Sequence, residues 1–204
     1  MPKVDFKREL KHLYNPSAKE VVFVDVPKMN FLMVDGAGDP NNSKEFQDAT
    51  EALYSVSYSL KFSVKRSVGG VDYGVMPLEG LWWTKNMAEF DIKKKDKWQW
   101  TLMIMQPAFI TMKMVESAVK EVEEKKELPA LSAVRFESFE EGKAAQIMHI
   151  GPYADEAPTI EKIHKFIEES GSELIGKHHE IYLSDPRKAK PEKMKTVLRQ
   201  PVTK

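Results

Sequence analysis

The sequence predicts an α+β fold. Two strand–helix–strand–strand halves are related by a pseudo-twofold axis, with antiparallel strands lining a central ligand groove and helices outside. Three observations point there. Strand-like and helix-like runs alternate along the chain without a long linker. A strand–Gly–turn–helix unit occurs twice: Phe31-Leu32-Met33-Val34-Asp35-Gly36 leads into a helix near Ser43, and Gln146-Ile147-Met148-His149-Ile150-Gly151 leads through Pro152-Tyr153-Ala154-Asp155 into a helix holding Ile160 and Ile163. Each unit is followed by strands, Tyr73-Gly74-Val75-Met76 in the first copy and Glu180-Ile181-Tyr182-Leu183 in the second.

Taken in order, Phe6, Leu10, Leu13 and Tyr14 mark a short amphipathic helix that ends before Pro16. Strands follow at Val21–Val26 and Phe31–Val34, then the turn cluster Asp35–Pro40. Asn42 and Glu45 form a capping-box pattern, and Phe46, Ala49, Leu53, Ser57 and Leu60 continue at helical spacing. Strand-like runs come next at Phe62–Val64, Val71–Met76 and Leu81–Thr84. Asn86–Lys97 reads as a charged loop, and Trp98–Gln106 as an interior strand apolar on both faces. Met112, Val115, Ala118, Val119 and Val122 give a second helix. Ala133–Phe139 and Ala144–Ile150 read as a hairpin around Glu141-Gly142. A third helix spans Glu156–Glu169, and strands at Glu180–Ser184 and Thr196–Val202 finish the chain. The organisation expected is an N-terminal helical extension over 1–20 and one domain over 21–204, its repeats covering about 21–106 and 130–204.

Composition narrows the function. The chain has 204 residues, and 31 Lys plus Arg balance 31 Asp plus Glu, so net charge gives no general attraction to nucleic acid or membrane. There is no cysteine, which removes thiolate nucleophiles, disulfides and Cys-based zinc sites. Met1–Arg8 has no apolar core of a leader, and no apolar run approaches a membrane span, so a soluble, cytoplasmic protein is expected. The five histidines show no metal spacing. No dinucleotide, phosphate-loop or Gly-x-Ser-x-Gly pattern is complete, so no metal and no cofactor is expected.

The candidate chemistry sits on strands. In Glu180-Ile181-Tyr182-Leu183, Glu180 and Tyr182 share one face and Ile181 and Leu183 the other. If the apolar pair packs on the outer helices, a carboxylate and a phenol project together into the groove. There they suit acid–base work on water, Glu180 as base or acid and Tyr182 positioning the reacting oxygen. The alternative is a wet sheet face on which both are merely solvated. In Leu78-Glu79-Gly80-Leu81-Trp82-Trp83, adjacent tryptophans face opposite ways, Gly80 permits close approach, and Glu79 is a candidate second carboxylate at the rim. Trp82, Trp83, Trp100 and Met105 are candidate walls, as are Met33, Met148 and Tyr153 from the repeated strand–turn elements, since methionine and aromatic rings accommodate flat ligands. Core packing is the competing role for each of them.

Several of these runs resemble one family. Leu78–Trp83, Trp100–Pro107, Met148–Tyr153, His178–Pro186 and Leu198–Val202 are similar, in order, to motifs of the GyrI-like small-molecule-binding domains, and the likeness covers the chain from about Val21. The resemblance implies a duplicated half-domain (SOUL/GyrI-like) fold with a ligand groove between the halves. It implies a hydrophobic or aromatic small-molecule ligand. A stand-alone subgroup resembles hydrolases that open cyclopropanoid DNA-alkylating cytotoxins, which would make this a detoxifying hydrolase conferring xenobiotic resistance. Some relatives sense drugs while fused to DNA-binding domains. The roughly twenty residues before the first strand are too few for a helix-turn-helix domain, so no direct nucleic-acid binding is expected. The alternatives carried forward are a non-catalytic module for lipophilic cations and a gyrase-inhibitor-like interaction protein, the latter without support from the balanced charge.

Overall fold

The structure, a computed structural model, describes residues 3–85 and 97–203. In chain order its elements are β1 (Lys3–Val4), α1 (Phe6–Glu9), α2 (Lys11–Tyr14), β2 (Val22–Val26), β3 (Met29–Ala37), α3 (Lys44–Arg66), β4 (Asp72–Tyr73), β5 (Leu78–Trp83), β6 (Gln99–Gln106), α4 (Met112–Glu123), β7 (Arg135–Phe139), β8 (Gly142–Ile150), α5 (Ala157–Glu169), β9 (His178–Tyr182) and β10 (Lys195–Pro201). The expected loop at Asn86–Lys97 lies, apart from Lys97, outside the described residues.

Eight strands form one antiparallel sheet in the order β2-β8-β10-β9-β5-β6-β3-β7. That order reads alike from both ends. β3-α3-β5-β6 and β8-α5-β9-β10 are equivalent units, and they meet at the β5–β9 seam, where Gly80 stands opposite Glu180. Each unit's outer edge is closed by a strand from the other half of the chain: β2 pairs with β8, and β7 with β3. The halves are therefore interlocked, and neither sheet edge at the seam is left open.

Helix α3 runs for 23 residues, with Ser43 as N-cap; its side chain accepts a hydrogen bond from the Phe46 N–H. It buries Ala49, Leu53, Val56, Leu60 and Val64, a stripe whose 3.6-residue period continues through the segment read as the strand Phe62–Val64. That stretch is helical because the amphipathic pattern outweighs three locally strand-favouring residues. The run Val71–Met76 yields only β4, which pairs with β1, so the counterpart of β9 in the first half is Leu78–Trp83. The expected hairpin is also corrected. β7 and β8 are adjacent in sequence, but the chain turns at Gly142 (φ 74°) and sends them to different parts of the sheet. Register to distant partners decides strand pairing there, and a local turn signal cannot reveal it. The N-terminal helix is broken at Leu10 into α1 and α2.

The two sheet faces are covered differently. On one, α5 buries Ile160, Ile163 and Ile167 against Ala145, Ile147 and Leu198, and α3 packs over β3 and β6. On the other, Leu13 and Tyr14 of the N-terminal segment are almost fully buried.

Candidate functional site

Between α3, the start of α5 and the β5–β9 seam lies a cleft of about 1660 Å³. Its floor carries Trp82, Glu180 and Tyr182; Tyr153 and Glu156 enter from the turn before α5, and Phe46, Tyr54, Tyr58 and Phe62 from α3. Strand alternation explains the floor, since Gly80 and Trp82 on β5 share a face with His178, Glu180 and Tyr182 on β9. Glu180 and Tyr182 share that face with the helices. The apolar Ile181 therefore packs on the reverse side, not against the helices as expected from the sequence.

The floor is wired by hydrogen bonds. The Trp82 Nε1–H donates to the Tyr182 hydroxyl oxygen at 3.1 Å, and that hydroxyl donates to Glu180 Oε2 at 2.7 Å. Glu180 Oε1 lies 3.3 Å from His178 Nε2. Burial, and then the neighbouring Glu180 carboxylate, raise the Tyr182 phenol well above its ordinary range, so it stays protonated and acts as a donor. The Tyr153 phenol is pushed up to about 12, by burial first and then by Glu156 and Glu180. Its ring meets that of Tyr182 edge-on at 5.5 Å. Gly80 makes the arrangement possible: a Cβ there would sit 2.8 Å from Trp82 Nε1 and 3.1 Å from the Tyr182 oxygen.

Aromatic rings form the walls. Phe46 stacks on Trp82 at 6.0 Å, and Trp98 leans on Trp82 at 5.2 Å. Along α3, Tyr54, Tyr58 and Phe62 stack successively at 6.3 Å each. These positions, with Phe46 and Thr50, follow i, i+4 spacing, so one helix face presents a ladder of rings to the cleft.

Of the side chains singled out from sequence, Glu180, Tyr182, Trp82 and Tyr153 meet in this cleft. The structure does not bring the others there. Trp100 is fully buried behind Phe46, held over Gly36, where any Cβ would overlap its ring. Trp83 points to the reverse face, with the Lys177 ammonium 3.3 Å from its ring centroid. Met33, Met105 and Met148 are reverse-face core residues, opposite Met103, Phe31 and Val197. Glu79 is also on the reverse face. It accepts from the Tyr14 hydroxyl at 2.7 Å and lies 2.9 Å from His179 Nε2. His179 in turn contacts Glu141, which is bound by Arg199 at 3.0 Å. The buried carboxylate that joins Glu180 in the cleft is Glu156, at the N-terminus of α5, where the helix dipole favours negative charge; Glu51, Glu121 and Asp185 line its more open parts. Sequence reasoning missed it and the ring ladder. The i, i+4 spacing is legible in the sequence, but a strand at Phe62–Val64 would end the helix near Leu60 and so break the ladder.

Among the described residues no three His, Asp or Glu side chains are placed to hold a metal ion, and no helix is long and apolar enough to cross a membrane.

The profile of the GyrI-like small molecule binding domain matches residues 19–203. The chain belongs to this family. Among solved GyrI-like relatives, an uncharacterized conserved protein from Listeria innocua is 44% identical, with a TM-score of 0.90, over 98% of this chain and 100% of its own. A hydrolase from Listeria innocua is 44% identical with a TM-score of 0.88 over the same shares. The C-terminal domain of EcmrR, at 13% identity and a TM-score of 0.56 over 91% of this chain and 98% of its own, shares the fold alone. No curated protein sequence matches the chain. The assignment makes this a small-molecule-binding domain.

Proposed function

We propose that the cleft encloses a flat, lipophilic electrophile and that Glu180 directs a water molecule onto it, making the protein a hydrolase of strained compounds such as cyclopropanoid alkylators. The observation that carries this reading is the Trp82–Tyr182–Glu180 chain at the foot of aromatic walls. Tyr182 orients the carboxylate by donating to Oε2. The stacked rings hold a planar ligand face-on, and alignment of water and electrophile lowers the barrier by removing the entropy of encounter. The 44% identical Listeria innocua hydrolase supports an enzymatic reading.

In the reaction, the water oxygen bonds to the strained carbon and the ring C–C bond breaks, its electron pair passing to the ligand's conjugated carbonyl. Glu180 accepts the water proton. The test is Glu180→Gln, which keeps the shape and removes the base. We expect ligand binding to survive and turnover to fall at least 10²-fold; wild-type rates from this variant would take Glu180 out of the mechanism.

A second reading is favoured by one observation, the pair of carboxylates Glu180 and Glu156 among aromatic rings, which suits a lipophilic cation held without chemistry. Calorimetry with planar cationic and neutral compounds, joined to mass spectrometry of the recovered ligand, separates the two. Unchanged compound supports sequestration, and a water adduct supports hydrolysis.

A further inference from the structure

Behind Ile160, whose side chain also borders the cleft, lies a second cavity of about 270 Å³. His164, His178 and Gln200 supply its polar lining, and Leu174 and Ile175 at its rim are partly exposed. A space of that size with several polar partners admits water molecules, each taking about 30 Å³. His178 precedes Glu180 by two residues on β9, so the two share a face, and its Nε2 lies 3.3 Å from Glu180 Oε1. The carboxylate is thus bracketed by a phenol on Oε2 and an imidazole beside Oε1.

We propose that His178 is the outlet for the proton that Glu180 takes from water, carrying it into the second cavity, to His164 and solvent, on the side away from the bound ligand. This rests on Glu180 acting as a base. The water O–H bond breaks and its proton goes to Glu180 Oε1; from there it passes to His178 Nε2, the imidazolium so formed releases a proton through the cavity, and exchange with cavity water restores the tautomer with Nε2 unprotonated. The ligand's oxyanion takes its own proton from bulk water at the cleft mouth, so water is added overall and the enzyme returns to its starting state.

Two features favour this route. The Tyr182 hydroxyl already donates to Oε2, so that side of the carboxylate is closed to a departing proton. His164 is held below its ordinary pKa, by burial first and then by His178, so a proton reaching it is readily shed. Among the described residues, Glu180 faces His178 on β9, Tyr153 and Glu156 bear on the same floor from the turn before α5, α5 brings His164 with Glu161, which raises it, and the flanking Trp82 and Gln200 are neutral. His178 acts through Glu180 and needs no contact with the ligand.

The experiment uses the full chain and a spirocyclopropyl cyclohexadienone as probe, followed by absorbance and mass spectrometry in H₂O and D₂O across about pH 5 to 9. His178→Ala should lower kcat by about 10²-fold with KM little changed. Added imidazole, which fits the enlarged cavity, should restore turnover in that variant and not in His178→Gln, which fills the space without a base. His164→Gln should move the acidic limb of the kcat profile while leaving KM alone. Thermal unfolding of each variant shows whether it folds, and His178→Gln carries the test if the alanine variant does not. Wild-type kcat and solvent isotope effect in the His178 variants would overturn the relay and leave Glu180 as base. Failure of the wild-type protein to form the water adduct would remove both proposals together.

Discussion

Gly80 stands directly opposite Glu180 across the β5–β9 seam, and the side chain it lacks leaves the space in which Trp82 and Tyr182 meet beside the carboxylate. The floor of the cleft is thus built around a missing Cβ at the point where the two halves join.

Gly80→Ala should therefore disturb the site before it disturbs the fold. The added methyl meets the Trp82 nitrogen at 2.8 Å, and overpacking of this kind costs about 1–3 kcal/mol. We expect a lower melting temperature together with an altered tryptophan emission spectrum and weakened quenching by planar aromatic ligands. Unchanged ligand quenching would show that the Trp82–Tyr182 contact is dispensable.

Tyr182→Phe removes the donor to Glu180 and the acceptor for Trp82. An indole N–H left without a buried partner costs about 1–3 kcal/mol, so a modest loss of stability is expected. The larger effect should be on turnover, because the carboxylate loses the bond that orients it. Parallel measurement of Kd by calorimetry and of kcat would show kcat falling further than affinity.

The reverse-face cluster predicts stability limits at both ends of the pH scale. Burial opposes charge on His179, yet Glu141 and Glu79 carry its pKa from an ordinary 6.5 up to about 9. A raised pKa means that protons bind the folded state more tightly. Its contribution is complete below about 6.5 and fades as pH rises through 9. Burial likewise opposes charge on Glu141, but His179 and Arg199 bring it from 4.5 down to about 2, so its contribution is present above about 4.5 and is lost as pH falls toward 2. Denaturant midpoints measured across this range should decline at both ends. His179→Gln should flatten the alkaline decline while lowering stability at neutral pH, by about 3–5 kcal/mol for a broken buried pair.

Tyr58 and Phe62 are 46% and 48% exposed, too open to support the core. The double variant Tyr58→Ala/Phe62→Ala should shift stability by no more than about 0.5 kcal/mol per site. Affinity should fall for ligands long enough to reach these rings and stay constant for small ones that occupy only the floor near Trp82. Equal losses for both ligand classes would show that the ladder supports the cleft indirectly.

Much of the fold was legible because it is written in local periodicity. The 3.6-residue stripes of α3, α4 and α5 and the strand–Gly–helix units could be read directly. The alternation of Glu180 and Tyr182 against Ile181 likewise follows from the two-residue period of a strand. What failed was nonlocal. The separation of β7 from β8 and the choice of Leu78–Trp83 as the partner of β9 depend on pairings across 100 residues or so of chain. Glu79, Trp83 and the three methionines went to the reverse face for a similar reason: parity tells which residues travel together, but not which set meets the cleft.

The amino-acid order by itself determined the family, the elements and the pairing of a carboxylate with a phenol on one strand face, since these rest on motif and periodicity within short stretches. Tertiary structure alone decided that this face lies under two helices, that Glu156 and not Glu79 accompanies Glu180, and that His178 beside it lines a second cavity. Those outcomes depend on which surfaces the two halves bury when they interlock, a competition among distant contacts that no single segment encodes.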